Sequence, residues 1–174
     1  MGRWRDVCAE VADVCALPFA EKSFDVVFAM HMLYHAPDLD KAICEIARVL
    51  RDDGTVVAST NGVANLASLF ELGPSVLGGP TADLAAAVFG LESGEAAMRR
   101  HFGNVEVYRS VDTMRITDPA DLMAYMTSFP PGDTADDDTR DRLKAVVENA
   151  FAADGAVTTV RDGGYIVARA PLRS

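Results

Sequence analysis

Two histidines, His31 and His35, stand four residues apart, and Asp13 closes a short apolar stretch before them. Imidazole titrates near neutral pH, so His31 could take a proton from a hydroxyl or an amine; packing is its plainer role. On a helix the two histidines would share a face, the first requirement of a metal site. A third ligand is then needed, only Asp38 and Cys44 are near, and Pro37 interrupts any helix, so no metal is expected. Asp25 lies inside an apolar run and reads as a buried carboxylate met by backbone or a nearby lysine. The acids Asp136–Asp138 read as a solvated helix start, where the macrodipole favours negative charge. Cys8, Cys15 and Cys44 are an odd set with no CxxC, and read as buried thiols of a reducing compartment, the cytoplasm. Met123, Tyr125, Met126 and Phe129 form an apolar stripe that suits a helical core, or the cap of a substrate pocket.

These groups sit in a chain of 174 residues with 26 acidic residues against 16 Lys+Arg, a net charge of -10. An excess of acid disfavours nucleic acid, whose binding rests on Lys and Arg meeting phosphates, and a basic membrane-surface helix. At 49% hydrophobic residues the chain buries a core and is not disordered. Its longest apolar run, near Leu84–Leu91, is too short for a membrane span, and Asp6, Glu10 and Asp13 break any secretory h-region.

The elements that must position the candidates follow from pattern. A short strand is expected over Val7–Ala12. Phe24–Met30 does not alternate, which predicts a strand buried on both faces. Asp38 caps a helix whose apolar positions are Leu39, Ala42, Ile43, Ile46 and Leu50, with Lys41–Glu45 as an i,i+4 pair. Asp52-Asp53-Gly54 ends it before a strand at Thr55–Ser59, making a βαβ unit with parallel strands and a right-handed crossover. Val63–Leu72 predicts a helix stopped by Gly73-Pro74, and Thr81 and Ser93 predict two helix caps. Asn104–Val111 predicts a strand. Asp118-Pro119 opens one helix and Asp136 the next, which Gly155 closes. Val157–Val160 and Tyr165–Ala170 flank Asp162-Gly163-Gly164, a hairpin signal.

One ordered set of these pieces carries a family pattern: Asp13-Val14-x-x-Leu17-Pro18-Phe19, Ser23-Phe24-Asp25-Val26-Val27, Leu33-Tyr34-His35-x-Pro37-Asp38, and Glu45-Ile46-x-Arg48-Val49-Leu50-x-x-x-Gly54. It resembles the class I S-adenosylmethionine-dependent methyltransferases of the small-molecule methyltransferase-domain group. The resemblance implies an α/β, Rossmann-like sheet of order 3-2-1-4-5-7-6, of which this chain would supply strands 3, 4, 5, 6 and 7, parallel with an antiparallel last strand, plus extra helices. Val7–Ala12 then corresponds to strand 3, Phe24–Met30 to strand 4, Thr55–Ser59 to strand 5, Asn104–Val111 to strand 6 and Tyr165–Ala170 to strand 7. It implies S-adenosylmethionine as cofactor, with Asp13 on the adenine amino group, Val14 reaching the ring by its amide, and Ala29, Met30 and His31 along the methionine side. His31 is the candidate general base; His35 matches the structural histidine before the next helix.

In the family a glycine-rich turn follows strand 1 and an acid follows strand 2. No two of the 13 glycines here are separated by a single residue, so no G-x-G exists in the 174 residues. Residues 1–174 are therefore expected to be a single, truncated methyltransferase domain, with helical insertions at 61–102 and 112–155 over the substrate site. Methyl transfer to a small molecule would be impaired in such a chain; a non-catalytic remnant or interaction module is the alternative, and an in-frame glycine-rich segment upstream would decide for the enzyme. Without strands 1 and 2, strand 4 becomes an apolar edge, so self-association is expected.

Overall fold

The computed structural model describes residues 9–173. A strand, β1 (Phe24–Met30), leads through a 3-10 turn at Leu33–His35 into helix α1 (Leu39–Val49) and strand β2 (Leu50–Asn61). Four short helices follow: α2 (Ala67–Leu72), α3 (Pro74–Leu77), α4 (Leu84–Phe89) and α5 (Leu91–Met98). Strand β3 (Phe102–Ile116), helices α6 (Pro119–Met126) and α7 (Asp137–Phe151), and strand β4 (Val157–Pro171) complete the chain.

The sheet has the order β1-β2-β4-β3. β1 and β2 are parallel, Val27 opposite Val56 and Ala29 opposite Ala58, as a βαβ crossover requires. β4 runs antiparallel to both neighbours. This is the 4-5-7-6 arrangement that the resemblance implies. Asp38 caps α1 by accepting from the Lys41 amide, and Ala42, Ile43, Ile46 and Ala47 bury that helix's apolar stripe on the sheet. A second cluster joins α2, α6 and α7 through Leu69, Leu122, Met126, Leu143 and Val147.

Several expectations are corrected. Residues 9–12 form no strand, and only an isolated bridge joins Asp13 to Ala16; Val7 and Cys8 lie outside the described residues. A strand needs a neighbour to complete its ladder, and among the described residues the outer edge of β1 pairs with nothing. β1 is not buried on both faces: Ala29 points into the core, whereas Val26, Phe28 and Met30 are exposed on the other side. Asp25 is exposed and pairs with Arg51, not buried. Cys44 is exposed; Cys15 is buried. Glu45 pairs with Arg48, not with Lys41. Asp83, not Thr81, caps α4, and Gly90, not Ser93, caps α5, with Ser93 at its third position. α2 starts later than expected, at Ala67, and β3 continues to Ile116, so the second helical insertion starts at Pro119.

The largest correction is the hairpin. β4 passes through Asp162-Gly163-Gly164 as one strand, paired with β3 from Val157 to Pro171. Asp162 is fully buried, and Arg109 grips it with two hydrogen bonds of 2.7 and 2.5 Å. Gly164 is needed because a Cβ there would stand 2.0 Å from the Tyr108 carbonyl oxygen. The Asp-Gly-Gly run serves close packing inside a strand, with negative φ at each residue, rather than a turn.

Candidate functional site

In an open α/β sheet, ligands sit beyond the carboxyl ends of the parallel strands. Here those ends are Met30 on β1 and Ser59-Thr60-Asn61 on β2. The chain leaves β1 at His31 in the left-handed conformation, φ 48°. Its amide donates to the Ser59 carbonyl (3.2 Å) and hydroxyl (3.1 Å), which turns the imidazole side out over the strand ends. His31 and His35 do not share a helix face, since only His35 belongs to the 3-10 turn. Tyr34 stands between them, its ring 6.4 Å from that of His31 and 4.6 Å from that of His35.

His31 opens on a polar cleft of about 350 Å³, also lined by Asn61, Asn65, Asp112, Arg161 and Tyr165. Asn65 is held in place: its side-chain oxygen accepts from the buried Asp162 amide at 3.1 Å. The Arg109 guanidinium beside Asp162 holds that carboxyl below the usual range, against the opposing effect of burial. The floor of the cleft thus rests on a fixed ion pair.

Of the other expected site residues, Met30 is exposed on the same side as Phe28, while strand alternation turns the Ala29 side chain into the core, leaving only its backbone to meet a ligand. Asp13 is exposed, and one of its oxygens accepts from the Cys15 amide at 2.8 Å in a tight local turn. Val14 packs on the same core cluster as Ala29. The spaced motif around these residues has a structural basis. Arg48 donates to the carbonyls of Phe19 (2.9 Å) and Leu17 (3.0 Å), and Glu45 accepts from the Leu17 amide (2.9 Å). Arg48 in turn keeps the Glu45 carboxyl below its ordinary range, with the Leu17 amide adding to that effect. Glu45-x-x-Arg48 is a clip that fixes Leu17-Pro18-Phe19, and with it the segment carrying Asp13.

A second, apolar cavity of about 300 Å³ lies between α2–α3 and α6. Tyr125, Met126 and Phe129 line it, so the aromatic stripe of α6 serves both the core and a cavity wall. Asp83 stands at this wall and accepts from the Asn61 side chain at 3.3 Å. Burial, with Asp83 nearby, raises the hydroxyl pKa of Tyr34 and of Tyr125. Asn61, Asn65, Asp83 and Arg161 were not legible as site residues. The polar triplet closing β2 was the available signal.

Residues 3–58 match the family described as "Methyltransferase domain". The chain is 44% identical over 59 residues to a malonyl-[acyl-carrier protein] O-methyltransferase of Methylococcus capsulatus, covering 34% of this chain and 22% of that protein. It is 44% identical over 48 residues to methyltransferase GfsG of Streptomyces halstedii, covering 28% and 17%. The match thus spans about a fifth of these relatives' length. A solved structure from Anabaena variabilis, assigned as a methyltransferase of an antibiotic biosynthesis pathway, superposes with a TM-score of 0.55 at 16% identity, covering 89% of this chain and 70% of that one; it shows the fold. Residues 3–58 are thus similar to the methyltransferase domain family, and the chain shares its fold with that structure.

Proposed function

We propose that the chain forms the part of a methyltransferase domain that carries the methionine side of the cofactor and the acceptor, and transfers a methyl group to a small molecule. The observation that supports this is the polar cleft at the carboxyl ends of β1 and β2, built where the family match ends. Its polar lining suits a zwitterionic ligand. In this reading Asp13 accepts from the adenine amino group, Val14 offers its amide, and the backbone of Ala29 and Met30 borders the methionine side. S-adenosylmethionine, when bound, supplies an electrophilic methyl group on a sulfonium. His31 accepts the proton from an acceptor hydroxyl or amine at its imidazole; the clip of Glu45 and Arg48 positions the adenine side, and α2–α7 exclude water.

The 174 residues offer no glycine turn to bring backbone against the cofactor, so this chain by itself holds the cofactor weakly. A non-catalytic role, with the cleft as a relic, is the second reading. The matched relatives are named for acceptors as unlike as malonyl-[acyl-carrier protein] and squalene, so the acceptor must be sought in the chain's own cavities. The helical segments between β2 and β3 and between β3 and β4 are the proposed cap over it, the cytoplasm is the proposed compartment, and self-association runs through the edge of β1. Among the described residues no helix is long and apolar enough to cross a membrane.

Ligand-observed NMR with S-adenosylhomocysteine tests the reading. Binding is expected in the high-micromolar to millimolar range, weakened about tenfold by Asp13→Ala, as loss of one hydrogen bond to a charged group implies. No signal at millimolar concentration overturns cofactor binding. Low-micromolar affinity overturns the weakness, and an unchanged Asp13→Ala variant overturns the assignment of Asp13.

A further inference from the structure

The cavity between α2–α3 and α6 differs in chemistry from the cleft beside it. Leu69, Phe70, Leu77, Met126, Phe129 and Pro131 supply apolar walls, and no Lys or Arg lines it. Its one charged group is Asp83. One Asp83 oxygen is committed to the helix start, accepting from the Ala85 and Ala86 amides at 2.9 and 3.4 Å. The other accepts from Asn61. An anionic ligand would lose its hydration here, meet no counter-charge and face a fixed carboxylate. A hydrogen-bonding ligand such as a sugar would find few partners for its hydroxyls.

Position gives this cavity its meaning. Asn61 lines the polar cleft, and its side chain bonds to Asp83, which lines the apolar cavity. The two spaces therefore adjoin across a single hydrogen bond, and His31 lines the cleft as well. We infer that the apolar cavity is the acceptor site and that it takes a neutral, mainly aliphatic or aromatic small molecule, seated with its polar end toward Asn61 and the strand ends. This rests on the methyl-transfer reading for the name of acceptor, and on the lining residues for the ligand class. A volume of about 300 Å³ stands at the low end of ligand pockets, which suits a compact molecule or one end of a longer one.

Isothermal titration of the 174-residue chain with 1-octanol and with octanoate at neutral pH tests the inference. 1-Octanol is expected to bind, and octanoate at least tenfold more weakly. Asp83→Asn keeps a capping side chain and removes the charge, so it should narrow the gap between the two probes at least threefold. Ala85→Trp, which fills the cavity from α4, should weaken 1-octanol at least tenfold; Leu77→Trp, from α3, serves as the second variant should the first fail to fold by circular dichroism. Equal affinity for both probes, or unchanged 1-octanol binding in whichever of the two tryptophan variants is folded, overturns the inference. The S-adenosylhomocysteine titration reads the other site: 1-octanol bound with no nucleoside bound leaves the cavity and removes the methyl-transfer reading, and the reverse pattern removes the cavity.

Discussion

The two faces of the sheet are built from different residues. One face carries Val27, Ala29, Val56, Ala58, Ile166 and Ala168, several of them small, with α1 and α5 packed on them. The other carries Val26, Phe28 and Met30 on β1 and the stacked pair Tyr108–Tyr165, centroids 4.9 Å apart, on β3 and β4. Small residues on the covered face let helices approach closely. Gly94 of α5 shows how closely, since a Cβ there would stand 2.8 Å from Ile166 Cδ1. The open face holds larger apolar groups without that cover among the described residues. On β1 the small residue Ala29 is thus buried against the helices, while the larger Val26, Phe28 and Met30 stay exposed.

The covered face should yield the largest effect. Ile166 is fully buried against α5, so Ile166→Ala removes three carbons from a site with little room to collapse and should cost about 3 kcal/mol. Urea unfolding monitored by circular dichroism measures this. A loss under about 1 kcal/mol would show that the helical layer does not hold the sheet as described.

Asp162 tests the same side through charge. Its carboxylate is fully buried with the half-exposed Arg109, which also meets Glu92 at 3.0 Å. Breaking a fully buried pair costs about 3–5 kcal/mol; solvent at the guanidinium lowers the expectation for Asp162→Asn to about 2 kcal/mol. The sign with pH follows from the depressed carboxyl. The folded-state pKa lies below the unfolded value of about 3.9, so the contribution is whole above that value and is lost as pH falls through the folded one. Thermal melts should show the gap between native protein and variant constant near neutral pH and closing in acid. A gap that widens in acid would mean that Asp162 is not held ionised by Arg109.

These two regions also differ in how far pattern alone could reach. The βαβ unit was legible because β1, α1 and β2 lie close in sequence: Asp38 caps, the Ala42–Ile43–Ile46 stripe has helical spacing, and the register follows from a short crossover. The strand order among β2, β4 and β3 was legible only through the family pattern. Asp162-Gly163-Gly164 misled because its usual meaning is local, whereas here Arg109, 53 residues away, and the Tyr108 carbonyl decide the conformation. Phe24–Met30 misled in another way: an unbroken apolar run signals burial on both faces, and burial depends on neighbours that the run itself does not specify. Of the cleft's lining, the position of His31 at the end of β1 followed from the family pattern. The Asn61–Asp83 bond was not, since it joins residues 22 apart across two helices with no periodic signal.

The smallest effect on stability, and the most telling one on the open face, concerns Phe28. It is 68% exposed at the centre of β1, whose outer edge pairs with nothing among the described residues. Natural edge strands carry Lys, Pro or a bulge against pairing with other chains, and β1 carries none of these along its second half. Val26, Phe28 and Met30 instead form a row of apolar side chains next to free backbone groups. A second chain pairing there would satisfy the backbone and cover the row together. Phe28→Lys should leave folding stability within about 0.5 kcal/mol, as exposed substitutions do, because little of the ring is buried within the chain. It should still move sedimentation at micromolar concentration from dimer or larger species to monomer and reduce binding of a hydrophobic dye. Tyr108→Lys, on the same face but away from the β1 edge, is the control and should leave association unchanged. If both variants dissociate the protein equally, the whole face and not the edge is the contact. If native protein is already a monomer without dye binding, the open face is not a surface for self-association.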